Sequence, residues 1–80
     1  MPTVLRIGPY RFYFFSNEGD EPPHIHVDRD AATAKVLLEG VELARSRGLR
    51  QKEINAILGI IAEHRAGLTE AWHDYFGTAD

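Results

Sequence analysis

Apolar and polar positions alternate along the first half of the chain and recur at helical spacing in its last third. Thr3-Val4-Leu5-Arg6-Ile7 is rich in β-branched and aliphatic types. Tyr10-Arg11-Phe12-Tyr13-Phe14-Phe15 follows directly after Gly8-Pro9, so the two runs predict strands joined by a two-residue turn. On the second strand Tyr10, Phe12 and Phe14 share one face and Arg11, Tyr13 and Phe15 the other. Aromatics on both faces predict a strand covered on both sides for part of its length. Residues 16 to 23 are dense in turn formers and acids and predict a loop. A third strand runs from His24 to Asp28, a turn follows at Arg29-Asp30-Ala31-Ala32, and a fourth strand covers Thr33 to Leu38. After Gly40, the run Val41-Glu42-Leu43-Ala44 is open to a short fifth strand or a helical turn.

The period then changes. Ile54, Ile57, Leu58 and Ile61 follow an i, i+3, i+4, i+7 pattern, which predicts a helix from about Gln51 to His64. Leu68, Ala71, Trp72, Tyr75 and Phe76 continue it, and Ile54, Ile61, Leu68 and Tyr75 keep phase through Gly67. An interior glycine costs about 1 kcal/mol relative to alanine, so two segments meeting at residues 65 to 67 are expected, with Gly77 as the C-terminal cap. Strands first and helices last predict an α+β fold: a small antiparallel sheet of four or five strands followed by one or two C-terminal helices packed on one face. Trp72, Tyr75 and Phe76 are expected to anchor the last helix to the sheet.

In Glu21-Pro22-Pro23-His24-Ile25-His26-Val27-Asp28 the polar side chains fall two apart. Ile25 and Val27 are expected to face the helices, and His24, His26 and Asp28 to point away, towards solvent or a partner. Alternate histidines on a strand can converge on one divalent metal, with Asp28 as a third ligand or as a partner to a histidine. They can equally act as general base and acid, because imidazole titrates near neutrality. The plain alternative is a pair of exposed polar residues. His64 and His73, nine residues apart, lie on opposite sides of an unbroken helix and are expected at its surface.

Composition narrows the field. Eighty residues with 44% hydrophobic and 26% charged content fit one domain over 1–80. The absence of cysteine excludes disulfides, a thiol nucleophile and a thiolate metal site. No apolar run approaches the ~20 residues that span a bilayer. The first residues lack the features of a signal peptide, so a cytoplasmic location and no membrane partner are expected. Net charge is -3, yet residues 41 to 52 hold Arg45, Arg47, Arg50 and Lys52 against only Glu42. That run reads as a solvated basic turn or, with Arg6 and Arg11 of the first two strands and with Arg29, as an edge that contacts phosphate or nucleic acid.

Several of these segments recur in order in one known family. Pro2-Thr3-Val4-Leu5-Arg6-Ile7, Tyr10 to Glu18, Glu21 to Val27, Val41-Glu42-Leu43-Ala44 with Gly48, and Ala71-Trp72-His73-Asp74-Tyr75-Phe76 together resemble the domain of unknown function 4160 family over nearly the whole chain. The resemblance implies a small bacterial protein encoded beside a second small protein, an arrangement similar to a toxin–antitoxin pair. It therefore implies a cognate protein partner from a neighbouring gene, and action on RNA. It carries no established catalytic residues, and only positions 22 to 27 map to a site. Gly67 and Arg50 depart from the family pattern, which more often has a better helix former and a serine there.

Three functions are consistent with the sequence. One is a toxin–antitoxin-like component that binds a partner and RNA, with His24 and His26 as acid and base and Arg11 or Arg29 steadying phosphate charge. The second is a metal-binding protein using His24, His26 and Asp28. The third is a purely structural protein-binding module. A homodimer through the sheet face or edge is compatible with each.

Overall fold

The computed structural model describes residues 3–15 and 19–77, and expectations that fall on 1–2, 16–18 and 78–80 lie outside them. Its elements are β1 (Thr3–Ile7), β2 (Tyr10–Tyr13), β3 (His24–Arg29), β4 (Ala32–Leu37), β5 (Glu42–Arg47) and α1 (Gln51–Phe76). The five strands form one antiparallel sheet in chain order, followed by the single helix, as the α+β pattern predicts.

Local chemistry sets the turns. Ile7 pairs with Tyr10, leaving Gly8-Pro9 as the two-residue loop, and Gly8 takes φ 56. A glycine with positive φ at the first central position suits the twist of a hairpin. Arg29 pairs with Ala32 across Asp30-Ala31, with Asp30 at φ 53, a conformation that aspartate tolerates better than most residues.

Alternation sorts the side chains as expected on β2 and β3. Phe12 stands opposite Val27, and Val27 opposite Ala34, while Ile25 stands opposite Val36. All five are buried in the core beneath α1. The helix contributes Ile54, Ile57, Ile61, Leu68 and Trp72, all buried. Trp72 therefore anchors the helix as expected, and Phe76 packs against the same core, whereas Tyr75 is 48% exposed.

One open alternative is settled and one expectation is corrected. Of the two forms open to the residues after Gly40, 42–47 take the fifth strand, and Arg45 and Arg47 lie on that edge strand. The C-terminal third is one helix of 26 residues and not two segments. Its apolar stripe stays in phase through Gly67, and no proline interrupts it. Gly59 and Gly67 are both exposed, so neither leaves a hole in the core. The helix starts with a Glu53 carboxylate accepting from the Arg50 N–H at 3.2 Å, and ends where the Gly77 N–H donates to the His73 carbonyl at 2.7 Å.

Length creates the decisive packing problem. At 1.5 Å per residue α1 is about 39 Å long, matching the 38 Å longest extent of the molecule. A six-residue strand such as β3 covers only about 20 Å. The helix therefore overruns the sheet at the His24 end of β3. There Phe14 and His24 meet Trp72, with ring centroids 5.5 Å and 4.9 Å away. Gly19 closes over the tip, because a Cβ at that position would lie 2.5 Å from the Phe76 ring.

A Cβ at Gly67 meets nothing within 4 Å. Gly67→Ala is therefore expected to stabilise the fold by about 1 kcal/mol, read as a higher urea midpoint. A lower midpoint would contradict a continuous helix at that position.

Candidate functional site

The face of the sheet turned away from α1 is built by the same alternation. Directly opposed residues of an antiparallel pair share a face, so the register defines rows across the sheet. One row runs Thr3, Tyr13, His26, Lys35, Arg45, and the next runs Arg6, Arg11, Asp28, Thr33, Arg47. Five cations thus stand on this open face. The strand acids beside them are Asp28 and, from the adjoining row of His24, Leu37 and Glu42, Glu42.

The histidines do not point into solvent, which corrects the expectation for this face. His24 has no accessible surface and His26 is 5% exposed. The His24 Nδ1 lies 2.9 Å from the Pro22 carbonyl. A carbonyl can only accept, so Nδ1 carries the proton and donates. The His24 ring sits between Trp72 and His26, at centroid distances of 4.9 Å and 5.0 Å. His26 is stacked on Tyr13 at 5.5 Å with 22° between planes, and Phe15 lies 4.7 Å away at 70°. These rings pack over the polar face of β3, Trp72 from the overrunning helix and Tyr13 and Phe15 from the neighbouring strand and its continuation.

Tyr13 links this stack to the charges. Its hydroxyl donates to Asp28 Oδ1 at 2.9 Å, and the Arg11 guanidinium carbon lies 4.6 Å over its ring. Arg11 in turn donates from Nε to Thr3 Oγ1 at 2.9 Å. Burial, then the hydrogen bond to Asp28 and the charge of that carboxylate, raise the Tyr13 phenol above its ordinary value, outweighing the opposing effects of Thr33 and Arg11. One oxygen of the Asp28 carboxylate thus accepts from Tyr13, and the His24 ring lies against both Trp72 and His26. Among the described residues no three His, Asp or Glu side chains cluster as metal ligands.

The sequence-predicted arginines divide between two places. Arg45 and Arg47 line a groove of about 520 Å³ with Tyr13, Phe15, His26 and Lys35. Arg11 stands beside it over Tyr13. Lys35 is paired with Glu21 at 3.1 Å. Arg29 instead lies on the helix side of β3 and forms an ion pair with Glu53. With Arg50, Lys52 and Tyr10 it lines a separate groove at the start of α1. The backbone N–H of Arg50, and next the Arg29 guanidinium, hold the Glu53 carboxyl below its usual range. Arg29 is thus not available to the histidine face. On the helix, His64 Nδ1 lies 3.0 Å from the Ile60 carbonyl, and the continuous helix keeps His73 on its opposite side, so these two do not form a joint site.

Sequence reasoning passed over Phe15 and Lys35 as site residues. Both were within reach of simple alternation, since Phe15 shares a face with Tyr13 and Lys35 with Thr33. What the alternation lacks is the pairing of β4 with β5, which brings Lys35 beside Arg45.

The folded value of the Tyr13 phenol lies above its unfolded value. The stability it contributes is therefore fully present below about pH 10, and is lost as pH rises through the folded value. Alkaline titration of the folded protein by phenolate absorbance is expected to contain a late step that disappears in Tyr13→Phe. Superimposable curves apart from total amplitude would contradict this.

No helix among the described residues is long and apolar enough to cross a membrane. No curated protein and no solved structure matches the chain. One family model does match, over residues 10–73, and its description is Domain of unknown function (DUF4160).

Proposed function

From a chain that belongs to this family, with β2 to β5 and most of α1 inside the matched residues 10–73, we propose that the protein binds RNA through the open face of its sheet, as one component of a toxin–antitoxin-like pair. The observation that carries the RNA reading is the gathering of Arg11, Lys35, Arg45 and Arg47 with Tyr13, Phe15 and His26 on one face, in a chain of net charge -3. Cations positioned beside aromatic rings are the chemistry that holds a phosphate backbone and its bases. The helix carries the opposite balance, with Glu53, Glu63, Glu70 and Asp74 against Lys52 and Arg65. Repulsion from that side favours approach to the sheet.

Binding is favoured over cleavage by the burial of His24. A general acid or base must come within ~2.6–3.2 Å of the proton it moves, and His24 is enclosed with its Nδ1 proton given to Pro22. The pair reading extends what the sequence resemblance implies, a cognate small protein from a neighbouring gene, and it requires that protein to leave the RNA face open. Co-expression with the neighbouring gene product and retention of the complex after nuclease treatment support that arrangement; loss of the complex with the RNA contradicts it.

The RNA reading is tested by fluorescence anisotropy with a labelled single-stranded oligoribonucleotide across a salt series. Removing two phosphate contacts in the Arg45→Gln, Arg47→Gln double variant is expected to flatten the log–log salt slope by about 1.4. An unchanged slope, or no binding by the wild type at low salt, contradicts it.

A further inference from the structure

The groove on the open face differs at its two ends. Phe15, Tyr13 and His26 form an aromatic end, with the Phe15 ring nearly perpendicular to Tyr13 (88°) and steeply tilted to His26 (70°). Arg45, Arg47 and Ser46 form a polar end on β5. Arg45 and Arg47 fall two apart on an extended strand, so they project from one face about 7 Å apart. Among the described residues neither has a carboxylate partner, whereas the charge of Lys35 between them and the rings is already paired with Glu21. Phe15 is half-buried and keeps part of its ring open. The volume of about 520 Å³ falls within the ~300–1,000 Å³ typical of small-molecule sites.

Resting on the RNA-binding reading, we propose that this groove seats one unpaired nucleotide of a single-stranded RNA, its base against Phe15 and its phosphate held by Arg45 and Arg47. The charge complementarity selects an anion, and the ring selects a flat partner with an exposed face. A base inside a duplex has both faces covered by its neighbours and its outward edge in a groove of the helix. A duplex could therefore reach the arginines but not fill the aromatic end. The site is thus a discriminator of strandedness, since stacking adds to phosphate contact only when the base is free.

The probe is a fluorescein-labelled single-stranded RNA of mixed sequence, alone and annealed to its complement, measured by anisotropy against the full chain. The wild type is expected to bind the single strand about tenfold more tightly than the duplex. Phe15→Leu removes that preference, read as the ratio of single-strand to duplex affinity; a ratio that stays at the wild-type value overturns the seat. Arg45→Gln with Arg47→Gln weakens both. As a second variant that keeps a ring at the position, Phe15→Trp is expected to show emission quenched by the single strand and not by the duplex. Equal wild-type affinity for both forms, or a Phe15→Trp emission that neither form alters, overturns the nucleotide seat while leaving phosphate binding by the face intact. Absence of binding to either form overturns the RNA reading itself, and the seat with it.

Discussion

One helix has to close a sheet whose central strand is buried on both faces, and a continuous run of ring contacts makes this work. Ile25 and Val27 of β3 are covered by α1, but His24 and His26 on the reverse face are buried as well. Rings supply their cover, in a chain from Tyr13 to His26, from His26 to His24, and from His24 to Trp72 on the helix. The chain passes around the end of the sheet where the helix overruns it, and joins the rings of Phe14 and Phe76. Helix length, the polar histidines and the tryptophan are therefore parts of one solution. Without the overrun of α1, His24 would have no helix partner.

This arrangement decides what remains available for function. The histidines, which look like reactive groups in the sequence, are used to close the fold. What is left on the open face are its cations, Arg6 and Arg11 on one side and Lys35, Arg45 and Arg47 on the other, beside Phe15. Edge strands tend to recruit other chains, and charged side chains limit that tendency. Arg45 and Arg47 thus have two consequences from one placement: they discourage sheet-to-sheet pairing at β5 and they concentrate positive potential beside the rings. The acidic helix on the opposite side makes the molecule electrically two-sided.

Much of the fold was legible in the sequence, because strand and helix periods are local properties. The hairpins at Gly8-Pro9 and Asp30-Ala31, the two faces of β2, the Ile25 and Val27 core positions and the Gly77 cap all follow from neighbouring residues. What stayed open and what failed have a common cause in tertiary contacts. Residues 42–47 are too few and too exposed to show a period, so strand and helical turn stay open until pairing with β4 makes them a strand. Gly67 suggests a break because its backbone preference is local, whereas the apolar stripe on either side of it is held by the sheet. The histidine face was placed correctly by alternation but not its burial, since nothing local reveals that a helix overruns the strand. The face that gathers Arg45, Lys35 and Phe15 needed the register of four strands, β2 to β5, which single-sequence patterning does not supply.

The central claim is that the open sheet face binds RNA and that the buried histidines serve the fold. NMR titration of the labelled protein with a single-stranded oligoribonucleotide tests it most directly. The predicted result is that shifts concentrate at Phe15, Lys35, Thr33, Arg45, Ser46 and Arg47, while the exposed face of α1 stays unmoved. Shifts centred on the helix or on the Arg29–Arg50 groove, or no shifts at all, would contradict the account.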